Sequence, residues 1–130
     1  MTVNPDTTPD RIGQIAINVE NLTRAVAFYR DVLGLKHLFD AGDRMSFFDC
    51  GGVRLMLSLP EKIEFDHPSS IVYYHVANIQ ASHAKLVERL SHVDSEPRIV
   101  AAMPDHDLWM SNYKDTEGNP FALMMEAKKS

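Results

Sequence analysis

The chain of 130 residues contains one cysteine, one tryptophan and no long apolar run. Each scarcity excludes something. A lone Cys50 has no partner for an internal disulfide, so the sequence predicts a reducing cytoplasm rather than a cross-linked secreted scaffold. Cys50 sits in "FFDCGG" at a strand end, with no histidine close by in sequence, and reads as a small packed side chain rather than a nucleophile. The absence of an apolar stretch of membrane-spanning length argues against a lipid partner. The opening "MTVNPDTTPD" is too polar for a signal peptide. Basic residues are also in deficit: 13 Lys and Arg against 18 Asp and Glu give a net charge of −5, which disfavours nucleic acid and anionic membranes as partners.

What is present is a repeat. "QIAINVENLTRAVAFYRDVL" aligns with "IVYYHVANIQASHAKLVERL" at an offset of 57, and the polarity pattern agrees better than the identities do. In each copy an alternating strand runs to an Asn, Asn21 or Asn78, that can cap the helix after it. Helix one places Leu22, Ala25, Val26, Tyr29 and Leu33 on one stripe, and Gly34 ends it. Helix two places Ile79, His83, Leu86 and Leu90 likewise, with His83 read as a half-buried structural histidine.

Three short β-like runs follow each helix. They are "KHLFDA", "MSFFDC" and "VRLMLSL", then "EPRIVA", "LWMSNY" and "PFALMME", divided by the turn signals "AGD", "CGG" and "DTEGN". The last runs match at an offset of 66, so the second copy carries about nine extra residues, some of them placed at "AMPDHD". The expected fold is α+β, with tandem βαβββ modules forming a curved, barrel-like sheet around a central cavity. Residues 1–11 read as a disordered tail and 12–130 as one domain, with module one about 12–60 and module two about 69–126.

"NVENLTRAVAFYRDVLGL" and "DTEGNPFALM" resemble the hallmark segments of the vicinal oxygen chelate superfamily. That group includes glyoxalase I, extradiol dioxygenases, methylmalonyl-CoA epimerase, and fosfomycin and bleomycin resistance proteins. The resemblance covers Ile12 to Glu126 and implies the fold, but its members range from isomerases to plain binders.

Metal enzymes of the group draw ligands from the first and fourth strand of each module. Carried over, those positions are Gln14, Met56, Ile71 and Ala122. One neutral amide, one soft thioether and two hydrocarbons are a poor donor set for a divalent ion. The expectation is therefore no metal and no cofactor.

Strand parity assigns the rest, since alternate side chains share a face. Ile15, Ile17 and Val19 should face the helix; Gln14, Ala16 and Asn18 the cavity. Ile71, Tyr73 and His75, then Arg54, Met56 and Ser58, then Ala122, Met124 and Glu126 fill the other cavity lanes. Trp109 and Tyr113 are candidates for a stacking surface, with a core role for Trp109 as the rival.

Apolar walls with sparse polar groups suit a small organic ligand. His75 is the candidate general acid/base, since histidine is the side chain best suited to proton transfer near neutral pH. Its rival role is an interior hydrogen-bonded histidine, and Arg54 could instead pair with a surface acid. "PDHDLW" groups Asp105, His106 and Asp107, best read as a solvated loop.

The sequence thus favours a metal-free small-molecule-binding protein. The alternative is a lyase, isomerase or dioxygenase-like enzyme using His75 or a shifted His75/Glu126 metal site. Resemblance adds a homodimer.

Overall fold

The computed structural model describes residues 7, 9–60, 63–90 and 92–129. The expected tail therefore lies largely outside the described residues. Two βαβββ modules follow in order. Module one comprises β1 (Gln14–Asn18), α1 (Leu22–Ala27), β2 (Lys36–Ala41), β3 (Met45–Cys50) and β4 (Val53–Ser58). Module two comprises β5 (Val72–His75), α2 (Ile79–Val87), β6 (Val93–Ala102), β7 (His106–Lys114) and β8 (Pro120–Lys128). The sheets run β1-β4-β3-β2 and β5-β8-β7-β6, with the first pair in each parallel and the others antiparallel. The two sheets do not join into a closed barrel.

Both helices start where the sequence says. Asn21 Oδ1 accepts the Arg24 N–H at 3.0 Å, and Asn78 Oδ1 accepts the Ala81 N–H at 3.0 Å. Each cap satisfies one of the amide donors that a helix N-terminus leaves unpaired. α1 widens into a π-helical turn over Phe28–Val32, where Leu33 N–H reaches back five residues to the Phe28 carbonyl. The turn lies where two consecutive aromatics, Phe28 and Tyr29, are both buried.

The register reproduces the repeat. Ala16 faces Met56 across β1 and β4, as Tyr73 faces Ala122 across β5 and β8. Those pairs are related by the same offsets, 57 and 66, that the sequence shows. The extra residues of module two lengthen one hairpin: β6 and β7 have 10 and 9 residues where β2 and β3 have 6 each. Met103 N–H closes its turn on the His106 carbonyl.

One hydrophobic core spans both modules, running from Ile17, Phe28 and Leu57 to Tyr74, Leu86 and Phe121. Phe28 meets Phe121 edge-on at 5.9 Å between ring centres. The β7–β8 turn then locks the join. Asp115, 6% exposed, accepts N–H groups of Glu117 and Asn119 on Oδ1, and the Tyr29 hydroxyl at 2.7 Å on Oδ2. Burial and the neighbouring Asp115 carboxylate push the Tyr29 pKa far up, so it stays a donor. Glu117, its side chain fully buried, accepts the backbone N–H groups of Glu20 and Asn21 and pairs with Arg24 at 2.7 Å. The two hallmark segments thus bond to each other across the modules. No helix among the described residues is long and apolar enough to cross a membrane.

Candidate functional site

Ile17 and Val19 lie in the core, so Gln14, Ala16 and Asn18 take the opposite, concave face of sheet one. β4 contributes Arg54, Met56 and Ser58 to that face, paired with Gln14, Ala16 and Asn18. Gln14 Nε2 approaches Met56 Sδ at 3.6 Å. β3 adds Met45 and Phe47, which pair with Ser58 and Met56.

Phe39 arrives there through a β-bulge. His37 pairs with Phe48 and Phe39 with Phe47, so the register shifts between them. In a regular strand residues 37 and 39 would share a face. Here His37 packs on Phe48 toward the core, while Phe39 stacks on Phe47 at 4.6 Å. The Arg54 guanidinium lies over both rings, 5.6 Å from Phe39 and 5.7 Å from Phe47. The expected rival, an Arg54 ion pair, is not formed among the described residues. Asp49 is its cross-strand neighbour but makes no ion pair with it.

Leu59, Pro60, His67 and Ser69, from the described parts of the connection between β4 and β5, roof this face. Arg44 Nη2 donates to the carbonyls of Leu59 and Pro60 at 3.3 and 3.0 Å. Asn18 fixes the far end: its backbone N–H donates to Ser69 Oγ and its Nδ2 to the His67 carbonyl, both at 2.9 Å. Asn119 Nδ2 in turn donates to the Asn18 carbonyl. Beneath lies a cavity of about 330 Å³, its walls including Ala16, Met45, Met56 and Pro60 with Asn18, Ser58, His67 and Ser69 as polar points. A broader trough of about 730 Å³ lies across the same connection, toward Glu20, Glu117 and Asn119. It is open and rimmed by groups already bonded in the module join.

Module two presents a more exposed face. Ile71 and Tyr73 are 49% and 48% exposed. The His75 side chain is exposed and makes no hydrogen bond among the described residues, contrary to the interior alternative. Ala122 is buried between Tyr73 and Asn112 in register, and Met124 pairs with His75 and Met110. Arg98 Nη1 donates to Ser95 Oγ and Asn112 Oδ1 on β6 and β7. Glu126 lies 3.8 Å from His106, which also bonds Asp105 at 2.8 Å. His106 and Asp107 belong to β7 rather than to a loop.

Trp109 and Tyr113 do not form a ligand-facing surface. They share the core face of β7 with Ser111: Trp109 packs against the core, and Tyr113 stacks on Phe121 and donates to Ser111 Oγ. The Tyr113 hydroxyl also meets His83 Nδ1 at 2.8 Å, the structural role expected of His83. Cys50 is half-buried, and burial, then Asp49, raises its thiol pKa, as suits a packed cysteine.

The metal positions divide between sheets: Gln14 and Met56 on sheet one, Ala122 on sheet two with Ile71 just before β5. An amide, a thioether and two hydrocarbons do not fit a divalent ion. Among the described residues no three His, Cys, Asp or Glu side chains are grouped to hold one.

The duplicated modules and their bonded signature segments define a class. Residues 11–123 match the model of the Glyoxalase/Bleomycin resistance protein/Dioxygenase superfamily, and the chain belongs to that family. Comparison with curated proteins gives no match. Among solved structures, a lactoylglutathione lyase from Agrobacterium tumefaciens is similar at 21% identity and TM-score 0.68, covering 90% of this chain and 94% of that one. An antibiotic-binding protein from Streptomyces sp. CB03234 is similar at 21% identity and TM-score 0.70, covering 93% and 99%. A superfamily member from Sphaerobacter thermophilus is similar at 22% and 0.71, covering 91% and 98%. At such identities the likeness shows the fold.

Sequence reasoning overlooked Phe39, Phe47, Met45, His67 and Ser69. The bulge leaves no mark in the period-two pattern of "KHLFDA". The roof residues lie in a segment without periodicity. The adjacent pair Phe47-Phe48 did carry a signal, since one of two neighbouring strand residues must face away from the helix.

Proposed function

We propose that the protein is a metal-free binder of a small organic molecule, held on the concave face of module one beneath the β4–β5 connection. The supporting observation is the roofed cavity of about 330 Å³, whose walls hold Met45, Met56 and Ala16 with few polar points. That mixture suits affinity from apolar contact and orientation from Asn18, Ser58 and Ser69. The donor chemistry at Gln14, Met56, Ile71 and Ala122 agrees with binding that needs no ion. The antibiotic-binding relative makes such a role familiar on this fold.

A thermal-shift screen of aromatic and carbonyl compounds tests the reading. A hit should be lost in Met56→Trp, which fills the cavity, while that variant still unfolds cooperatively. If no compound shifts the melting temperature, or hits survive Met56→Trp, the pocket reading falls.

A second reading follows from His75, exposed and unbonded, and so available as a general acid/base or as part of a shifted metal site with Glu126. Near-stoichiometric metal retained by purified protein, and lost in His75→Ala, would replace the metal-free reading. We further propose that a second copy of the chain covers the concave face of module two, where Ile71 and Tyr73 are half exposed.

A further inference from the structure

We propose that the ligand of module one is an organic anion with an aromatic or flat apolar body, its carboxylate or equivalent acid group held by Arg54. The assignment rests on the pocket reading above and names the ligand class for that site. Arg54, Met56 and Ser58 form one lane of β4, each paired in register with a residue of β1. Met56 and Ser58 line the cavity, and Arg54 is the next residue of the same lane beyond Met56. Successive residues on such a lane are about 7 Å apart, a span a bicyclic ligand bridges.

The state of Arg54 carries the inference. Its guanidinium lies over Phe39 and Phe47, at 5.6 and 5.7 Å from their ring centres. Such contacts use the ring faces and hold the cation without an acceptor for its N–H groups. Among the described residues no carboxylate or carbonyl accepts from the Arg54 side chain, in a chain that has 18 acidic residues. Arg30 and Arg24, by contrast, are paired with Asp31 and Glu117. A fork of free donors on a fixed aromatic base matches the geometry of a carboxylate. The exposed face of Phe39, 46% exposed and stacked on Phe47, offers the flat part of the ligand a surface. Asp49, across the strand from Arg54, offsets part of the positive charge and so limits affinity.

Calorimetric titration with 2-naphthoate and with neutral 2-naphthamide separates charge from shape. The acid should bind on the order of tenfold more tightly than the amide, as for a charge-assisted contact. The preference should vanish in Arg54→Met, which keeps an apolar stem, and persist in part in Arg54→Lys. Asp49→Asn should tighten the acid and leave the amide unchanged. Equal binding of both probes, or a preference unmoved by Arg54→Met, overturns the assignment while leaving the pocket intact. Failure of both probes also overturns it. The pocket reading itself falls only if the wider screen finds no ligand sensitive to Met56→Trp.

Discussion

At Glu117, burial and hydrogen bonding act in opposite directions. Burial alone would raise the carboxyl pKa, but Arg24, the N–H groups of Asn21 and Glu20, and the Thr116 hydroxyl favour the charged form and hold it at about 2. The ordinary value is 4.5, so the folded state binds this proton less readily than the unfolded chain. Its contribution to stability is complete above about 4.5 and is lost as the pH falls toward about 2. Glu117→Gln should therefore be less stable than the parent at pH 6, and the gap should close between those values. Urea unfolding across that range measures it. A constant gap would mean that Glu117 acts through shape alone. None of this was visible in "DTEGN", which as a string announces a turn. Apart from Thr116, the partners of the Glu117 carboxylate lie more than 90 residues away, and no local period encodes them.

Elements were legible because each is written in local chemistry. The two Asn caps, the strand alternation and the glycine turns all act within a few residues, and the helix starts and strand faces follow from them. Asn21→Ala and Asn78→Ala should each cost about 0.5–2 kcal/mol in equilibrium unfolding, the usual range for a lost cap. The two losses should be similar, because the Asn21 backbone N–H that anchors Glu117 survives the substitution and each variant removes one side-chain cap. Where elements depart from expectation, tertiary packing has overridden the period. The π-helical turn lies at buried Phe28 and Tyr29, and the bulge in β2 sends Phe39 to the concave face. Trp109 shows the reverse case: parity with Ser111 and Tyr113 would have placed it in the core, had the strand been phased on those residues.

For the whole molecule, duplication was legible and the pocket was not. The expectation of one cavity between two uncovered faces took the modules as equal. In the structure each face stands on its own sheet, and a cavity forms where the connecting segment crosses module one. If a second chain covers module two, sedimentation at micromolar concentration should give a dimer. Tyr73→Asp, at a half-exposed position outside the core, should shift it to monomer without loss of helical content. A monomer in both cases would remove the dimer proposal.

A chain of two like sheets has a single covalent join, the β4–β5 connection, and here that connection also lines the cavity. Symmetry is therefore broken by connectivity, before any substitution distinguishes the copies. Cutting the chain at the join and linking the old termini through a flexible spacer would keep every strand pair while freeing the roof. Such a permutant should fold with both sheets, yet bind small molecules more weakly than the parent in the same thermal-shift screen. A single module, having no such connection, would lack those walls, so the chamber belongs to the tandem arrangement and not to either unit alone.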